Sequence, residues 1–231
     1  ALINSIREEY DYPIFLNADH TYSVDKVKEA IDAGFDMAIY DGAKLPLEEN
    51  IKNAKECVDY ARKISKETGR DILIEGELGY IGQSSKVLDA IPEDVKVTGD
   101  DLTHPDMAKD FVLKTGVDLL APAVGNIHGM LRVGHDPRLD IERIQKISEI
   151  CNIPLVLHGG SGTEDEDFVK AIKAGMPIIH ISTELRVAFR KTLDTTLKAS
   201  PDEVAPYKYL KASVEAVEKV SSDRLKLFNG I

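Results

Sequence analysis

Four of the six histidines, His20, His128, His158 and His180, close short apolar runs. They stand in polar or glycine-rich clusters: Asn17-Ala18-Asp19-His20, Gly125-Asn126-Ile127-His128-Gly129, His158-Gly159-Gly160-Ser161-Gly162 and His180-Ile181-Ser182-Thr183. Neutral imidazoles are common zinc ligands, and three of them with an open fourth position make a Lewis acid able to polarise a carbonyl. Any one of these histidines alone reads as a hydrogen-bonded structural residue. Three or four at equivalent places read as a metal set. Asp19, beside His20, suits either an orienting carboxylate or an acid/base group. Gly159-Gly160-Ser161-Gly162 is a tight turn by itself. Paired with Ser182 and Thr183 at the next run's end, it reads as a phosphate cradle of backbone N–H groups and a helix start. Lys44 could form a Schiff base, but a lone lysine after a turn reads first as a surface charge. His104 before Pro105 and His135 in a polar loop read as structural or surface residues.

The elements that must position these groups alternate regularly. Strand candidates are Ile14–Asp19, Met37–Asp41, Ile72–Gly79, Leu119–Asn126, Leu155–His158 and Ile178–Thr183, continuous apolar runs suited to strands buried on both faces. Amphipathic helices lie between them, one after a Ser23 cap, one after Asp140, and one after a capping-box pattern, Thr163-x-x-Glu166. Pro46-Leu47-Glu48-Glu49-Asn50 reads as a helix start with acids near the positive end of the dipole. Gly34, Gly69, Gly116 and Gly175 each stand just before a strand, where a glycine ends a helix in the left-handed conformation. This repeated βα unit predicts an α/β fold. A (β/α)8 TIM barrel is favoured over a dinucleotide-binding sheet, because no G-x-G-x-x-G follows the first strand. The histidine clusters then share one rim, at the C-terminal ends of the strands. Six strands fall two short of a barrel. The expectation is one domain over residues 1–231, lacking its first two βα units, with a natural polypeptide longer than this chain. A helical extension is expected at about 206–228.

The 231 residues carry 29 basic and 40 acidic side chains, a formal charge of −11. Such a chain lacks the broad basic surface that holds a nucleic-acid backbone, so nucleic acid is not an expected partner. No apolar run approaches the ~20 residues of a membrane span, and the first residues do not form a signal peptide. Cys57 and Cys151 fall in apolar periodic stretches and read as reduced core thiols of a cytoplasmic protein.

The sequence resembles the class II, zinc-dependent ketose-bisphosphate aldolases, which act on fructose 1,6-bisphosphate or tagatose 1,6-bisphosphate. The matching segments run across nearly the whole chain. They are Asp19-His20, Asp41-Gly42 with Leu45-Pro46-Leu47-Glu48-Glu49-Asn50, Glu75-Gly76-Glu77-Leu78-Gly79, Thr115-Gly116-Val117-Asp118, Gly125-Asn126-x-His128-Gly129, Leu157-His158-Gly159-Gly160-Ser161-Gly162 and Thr183-Glu184. The resemblance implies that His20, His128 and His158 bind Zn2+ and that Asp19 exchanges a proton with the aldehyde oxygen. It implies that Gly129, Gly159, Gly160 and Ser161 bind dihydroxyacetone phosphate, with His180, Ser182 and Thr183 completing the phosphate site. Glu77 matches a carboxylate near a second metal position. A monovalent cation and a homodimer or homotetramer are further family expectations.

Two positions depart from the family pattern. His180 stands where the family usually has Asn. Ser85 stands where a mobile loop usually carries the Glu taken to remove the carbon-bound proton, and a serine is no base at neutral pH without an activating partner. The expected activity is zinc-dependent cleavage of fructose 1,6-bisphosphate to dihydroxyacetone phosphate and glyceraldehyde 3-phosphate. The alternatives are a tagatose-bisphosphate aldolase, a metal-dependent sugar-phosphate enzyme of another reaction class, or a non-catalytic sugar-phosphate-binding homologue. Arg186, Arg190 and Arg224 are candidates for the second phosphate.

Overall fold

Apolar runs that follow helix-ending glycines form parallel strands in the computed structural model of the protein, which describes residues 2–10, 12–95, 97–134 and 136–231. His135 lies outside the described residues. The elements are α1 (Leu2–Glu9), β1 (Asn17–Thr21), α2 (Val24–Asp32), β2 (Met37–Tyr40), α3 (Leu47–Thr68), β3 (Leu73–Leu78), β4 (Val87–Leu88), α4 (Pro105–Thr115) and β5 (Leu119–Pro122). They continue as β6 (Met130–Leu131), α5 (Ile141–Cys151), β7 (Val156–Leu157), α6 (Asp165–Lys173), β8 (Ile178–Ile179), α7 (Thr183–Ala199), α8 (Pro206–Tyr209) and α9 (Lys211–Asn229). The described residues fall into two compact units, one of 1–80, 103–122 and 147–155, the other of 81–102, 123–146 and 156–231.

The first unit is built on a parallel sheet of order β1-β2-β3-β5. Its register pairs Tyr40 with Gly76 and Gly76 with Leu120, so successive strand ends lie side by side. Val27, Ile31, Ile39, Ala54, Ala61, Ile74 and Phe111 form its buried core. Gly76 is the one residue that fits its place in β3, since an added Cβ would lie 2.7 Å from the Phe111 ring. The helix starts follow the sequence closely. Ser23 accepts a hydrogen bond from Lys26 N, and His104 accepts one from Asp106 N ahead of Pro105. The left-handed glycine caps fall at Gly69 and Gly116.

The second unit holds two short parallel pairs, β4 with β6 and β7 with β8. Its core includes Val124, Ile127, Ile144, Leu157, Phe168 and Met176. The expected C-terminal extension is helical, as α8 and α9. The Phe168 and Phe228 rings meet at 5.2 Å, joining α6 to α9. Arg224 forks onto Glu184 at 2.9 Å through two nitrogens and reaches Asp165 at 2.6 Å.

Several sequence boundaries are corrected. The first strand begins at Asn17, not Ile14, and runs on to Thr21 because its register shifts between Ala18 and Thr21. β5, β7 and β8 stop short of their polar clusters, and β4 and β6 escape detection at two residues each. The capping box does not form. Glu164 caps α6, because Thr163 N is drawn back to the Gly160 carbonyl in the preceding turn. Glu166 instead pairs with Lys170 and Arg138. Cys57 and Cys151 are buried free thiols, as the periodicity predicts. Among the described residues no helix is long and apolar enough to cross a membrane.

Candidate metal centre

In the first unit, β1 bulges at its C-terminal end. The ladder slips between Ala18 and Thr21, and His20 takes a positive φ of 37°. A bulge re-aims a side chain relative to the plain alternation of a strand. The plain alternation of residues 19 and 20 on a regular strand is therefore broken here. His20 Nδ1 lies 2.9 Å from Asp41 Oδ2 and 3.3 Å from Glu77 Oε2. The two carboxylates come from the ends of β2 and β3, one residue beyond the paired Tyr40 and Gly76. Glu77 is 2% exposed and Asp41 9%.

Electrostatics couple the three groups. Burial disfavours the His20 imidazolium, but the hydrogen bonds and charges of Asp41 and Glu77 outweigh it and raise the pKa to about 10. Burial lifts Glu77 to about 7, with His20 working in the opposite direction. With Nδ1 turned to the carboxylates, Nε2 is the His20 nitrogen available to a ligand. A carboxylate behind an imidazole in this way fixes the ring and raises its basicity toward a metal. One ligand atom from each of His20, Asp41 and Glu77 falls within 4.8 Å of the others.

Asn50 supports this corner from α3. Its Nδ2 donates to the Glu77 carbonyl at 2.9 Å, and its Oδ1 would lie 2.3 Å from a Cβ added at Gly42. Asp19 is exposed at the bulge. Lys44 is exposed, with its ammonium 4.8 Å from the Tyr80 ring centroid, which matches the surface reading.

In the second unit, three imidazoles lie in sequence. The His128 and His158 ring centroids are 6.0 Å apart, and those of His158 and His180 are 4.3 Å apart. Asn126 fixes the backbone between them. Its Oδ1 accepts from Val124 N and its Nδ2 donates to the His158 carbonyl, both at 2.9 Å. The glycine run follows His158 directly. Gly159 has φ 63°, and an added Cβ there would lie 2.0 Å from the Ile127 carbonyl oxygen. Gly160 N donates to the His180 carbonyl at 3.2 Å.

Ser161 has a different setting from a simple ligand contact. It is buried, and its Oγ accepts from Ser182 N and Glu184 N, each at 3.2 Å. Both hydroxyl lone pairs are thereby used to cap α7, and the single O–H is what remains to donate to a phosphate. Thr183 is buried and Ser182 exposed at the same helix start. Gly129 lies against Leu88 and the Lys86 carbonyl, where a Cβ would sit 2.9 Å away. Ser85 is exposed between Gly82 and β4. Of the arginine candidates, Arg224 is committed to Glu184 and Asp165, and Arg190 pairs with Asp194. Arg186 is exposed on α7.

Within the first unit the structure thus groups His20 with Glu77, and within the second it groups His128, His158 and His180 beside the glycine run. Sequence reasoning gave no role to Asp41 or Asn50. The signal was present: Asp41 closes one strand and Glu77 the next, and parallel neighbours bring such ends together.

The family model for class-II fructose-bisphosphate aldolase matches residues 1–231. Among solved structures, the YdjI aldolase from Escherichia coli K12 is 29% identical with a TM-score of 0.77, and the match covers 98% of this chain and 74% of that one. Fructose-bisphosphate aldolase from Campylobacter jejuni is 20% identical with a TM-score of 0.75, over 100% of this chain and 74% of that one.

Proposed function

The chain belongs to the class II fructose-bisphosphate aldolase family, lyases with the (β/α)8 barrel fold, and on that premise we propose that it cleaves a ketose 1,6-bisphosphate with a zinc ion on His20, His128 and His158. The observation that carries this reading is the carboxylate-held His20. Asp41 and Glu77 fix Nδ1 at 2.9 and 3.3 Å, the arrangement by which proteins present Nε2 to a metal. The donor chemistry of the three imidazoles fits a zinc ion and leaves a coordination position for substrate. When bound, the metal supplies Lewis-acid polarisation of the substrate carbonyl.

The protein's own groups do the rest. The backbone N–H groups of Gly159, Ser161 and Thr183 hold the ketone phosphate, with the Ser161 O–H as a side-chain donor. His180 borders that phosphate. Asp19 takes the proton from the hydroxyl of the aldehyde-derived carbon in cleavage and returns it in condensation. Its exposure at the bulge leaves it accessible to substrate. The substrate is fructose 1,6-bisphosphate, with the tagatose stereoisomer as the second candidate, and the products are two triose phosphates.

Asp19→Ala separates proton transfer from metal binding. The variant is expected to keep its zinc while its cleavage rate falls by about 100-fold or more. Cleavage unchanged in the variant, or lost only together with the metal, would remove Asp19 from this role.

A further inference from the structure

We propose that Asp136 is a positioning residue for the substrate phosphate: its carboxyl fixes the Gly159–Gly162 turn against β6 and so sets the place of the Gly159 and Ser161 N–H groups. The inference rests on the phosphate reading above and names a residue which that reading does not contain. All the groups involved lie in the second unit. The turn is held on one side by β8 and α7. Gly160 N donates to the His180 carbonyl at 3.2 Å, and Ser161 Oγ accepts from Ser182 N and Glu184 N. The end of the turn meets Asp136 instead. A Cβ added at Gly162 would lie 2.2 Å from Asp136 Oδ2, 2.7 Å from its Cγ and 2.9 Å from Met130 Cγ. The carboxyl thus fills the place of a side chain at residue 162, where φ is 93° and glycine is the residue that fits.

The same carboxyl is tied to β6. Met130 N and Arg132 N donate toward β4, to the Lys86 and Leu88 carbonyls at 3.2 and 2.8 Å. Leu131 N points the opposite way, as alternate N–H groups of a strand do, and donates to Asp136 Oδ1 at 2.8 Å. One oxygen therefore holds the open edge of β6 while the other bears on the turn. Asp136 is 7% exposed, and its Oδ2 has no hydrogen-bond partner among the described residues. A buried acceptor without a donor is unfavourable, and an apolar side chain would fill the niche beside Gly162 without that penalty. An apolar side chain could not also accept from Leu131 N. The carboxyl does both, and so links the β4–β6 pair to the phosphate turn. Burial pushes its pKa up, with the Leu131 N–H working in the opposite direction, so a neutral amide of the same shape is a mild change.

The test uses zinc-loaded protein, with inorganic phosphate as the probe. Asp136→Asn keeps the shape and an acceptor for Leu131 N, whereas Asp136→Ala opens the niche beside Gly162. Asp136→Ala is expected to bind phosphate about 10-fold more weakly and to raise KM for fructose 1,6-bisphosphate by a similar factor, with kcat within about threefold of wild type. Asp136→Asn is expected to stay within about threefold of wild type in both phosphate affinity and KM. Unchanged phosphate affinity in Asp136→Ala, a fall in kcat at constant KM, or an Asn variant as weak as the Ala variant would overturn the inference. A measurement on the unmutated protein avoids dependence on folding of the variants. With carboxyl-labelled aspartate, the Asp136 carboxyl resonance is expected to shift on phosphate addition and to saturate together with the Gly159 and Ser161 amide resonances. Amide shifts without an Asp136 shift overturn the inference and leave the phosphate reading standing. Absence of shifts at those amides overturns both.

Discussion

His20 is held by carboxylates that arrive from β2 and β3, and this support is the feature of the first unit most open to test. Asp41→Asn keeps the shape of the side chain but removes the charge facing Nδ1. Zinc affinity is expected to fall by about 10–100-fold, with an unchanged circular dichroism spectrum, when measured by competition with a chromophoric chelator. Affinity within twofold of wild type would mean that Asp41 does not act on His20. The histidines and the glycine run were legible from residue type and place, since each closes an apolar run. Asp41 and Asn50 were not, because their roles come from lateral strand register and from a helix packed beneath it. The positive φ of His20 was also hidden, as nothing in Ala18-Asp19-His20-Thr21 announces a bulge. Ser161 was expected from the sequence to contact a phosphate, yet the sequence concealed that its oxygen caps α7.

At the scale of elements, the turn after β7 joins His158, a proposed metal ligand, to the proposed phosphate cradle of Gly159–Ser161. Gly159→Ala would place a Cβ 2.0 Å from the Ile127 carbonyl oxygen at a φ of 63°. The backbone must shift, at a cost of about 1–3 kcal/mol for the strained conformation alone. The expected result is a lower melting temperature together with weaker binding of inorganic phosphate. A variant as stable as wild type with unaltered phosphate binding would show that this approach is not a constraint.

A second test lies where α6 meets the loop before α5. Burial pushes the Asp167 carboxyl up, but the Arg138 guanidinium and the Leu139 N–H outweigh burial and hold its pKa below the ordinary value. A depressed folded-state pKa contributes stability above the unfolded value of about 3.9, and that contribution disappears as pH falls through the folded value. Asp167→Asn is therefore expected to cost about 1–3 kcal/mol at pH 7, with the exposed Arg138 keeping the figure modest. The gap from wild type should narrow below about pH 4, as followed by denaturant titration. A gap that is constant with pH would deny the ion pair its role. The sequence showed α6 by its periodicity but misplaced its cap. Local pattern gave Thr163 to the helix, whereas the Gly160–Thr163 turn claimed it.

For the whole molecule, the order of βα units was readable because several repeat a glycine-ended helix followed by an apolar strand, as at Gly69 before β3 and Gly116 before β5. The candidate residues stood out because polar clusters lie at or after the C-terminal ends of β1, β5, β7 and β8. Short pairings such as β4 with β6 were not, since two residues carry no period. The acidic balance of −11 also takes on a specific meaning. An anionic bisphosphate finds no general attraction on such a chain. In the proposed function its binding would come from the metal, the Gly159 and Ser161 amides and local cations. Arg224 is withdrawn from that list by its pairs with Glu184 and Asp165, which leaves Arg186 and the Asp194-paired Arg190 as exposed candidates on α7.

The most direct measurement is release of triose phosphate by the purified protein, metal-free and then reloaded with zinc, given fructose 1,6-bisphosphate and, separately, tagatose 1,6-bisphosphate. Metal-dependent aldol cleavage predicts no product after chelation and restored product on reloading, from at least one of the two stereoisomers. Absence of triose phosphate from both with zinc bound, or cleavage that persists after the metal is removed, would contradict the account.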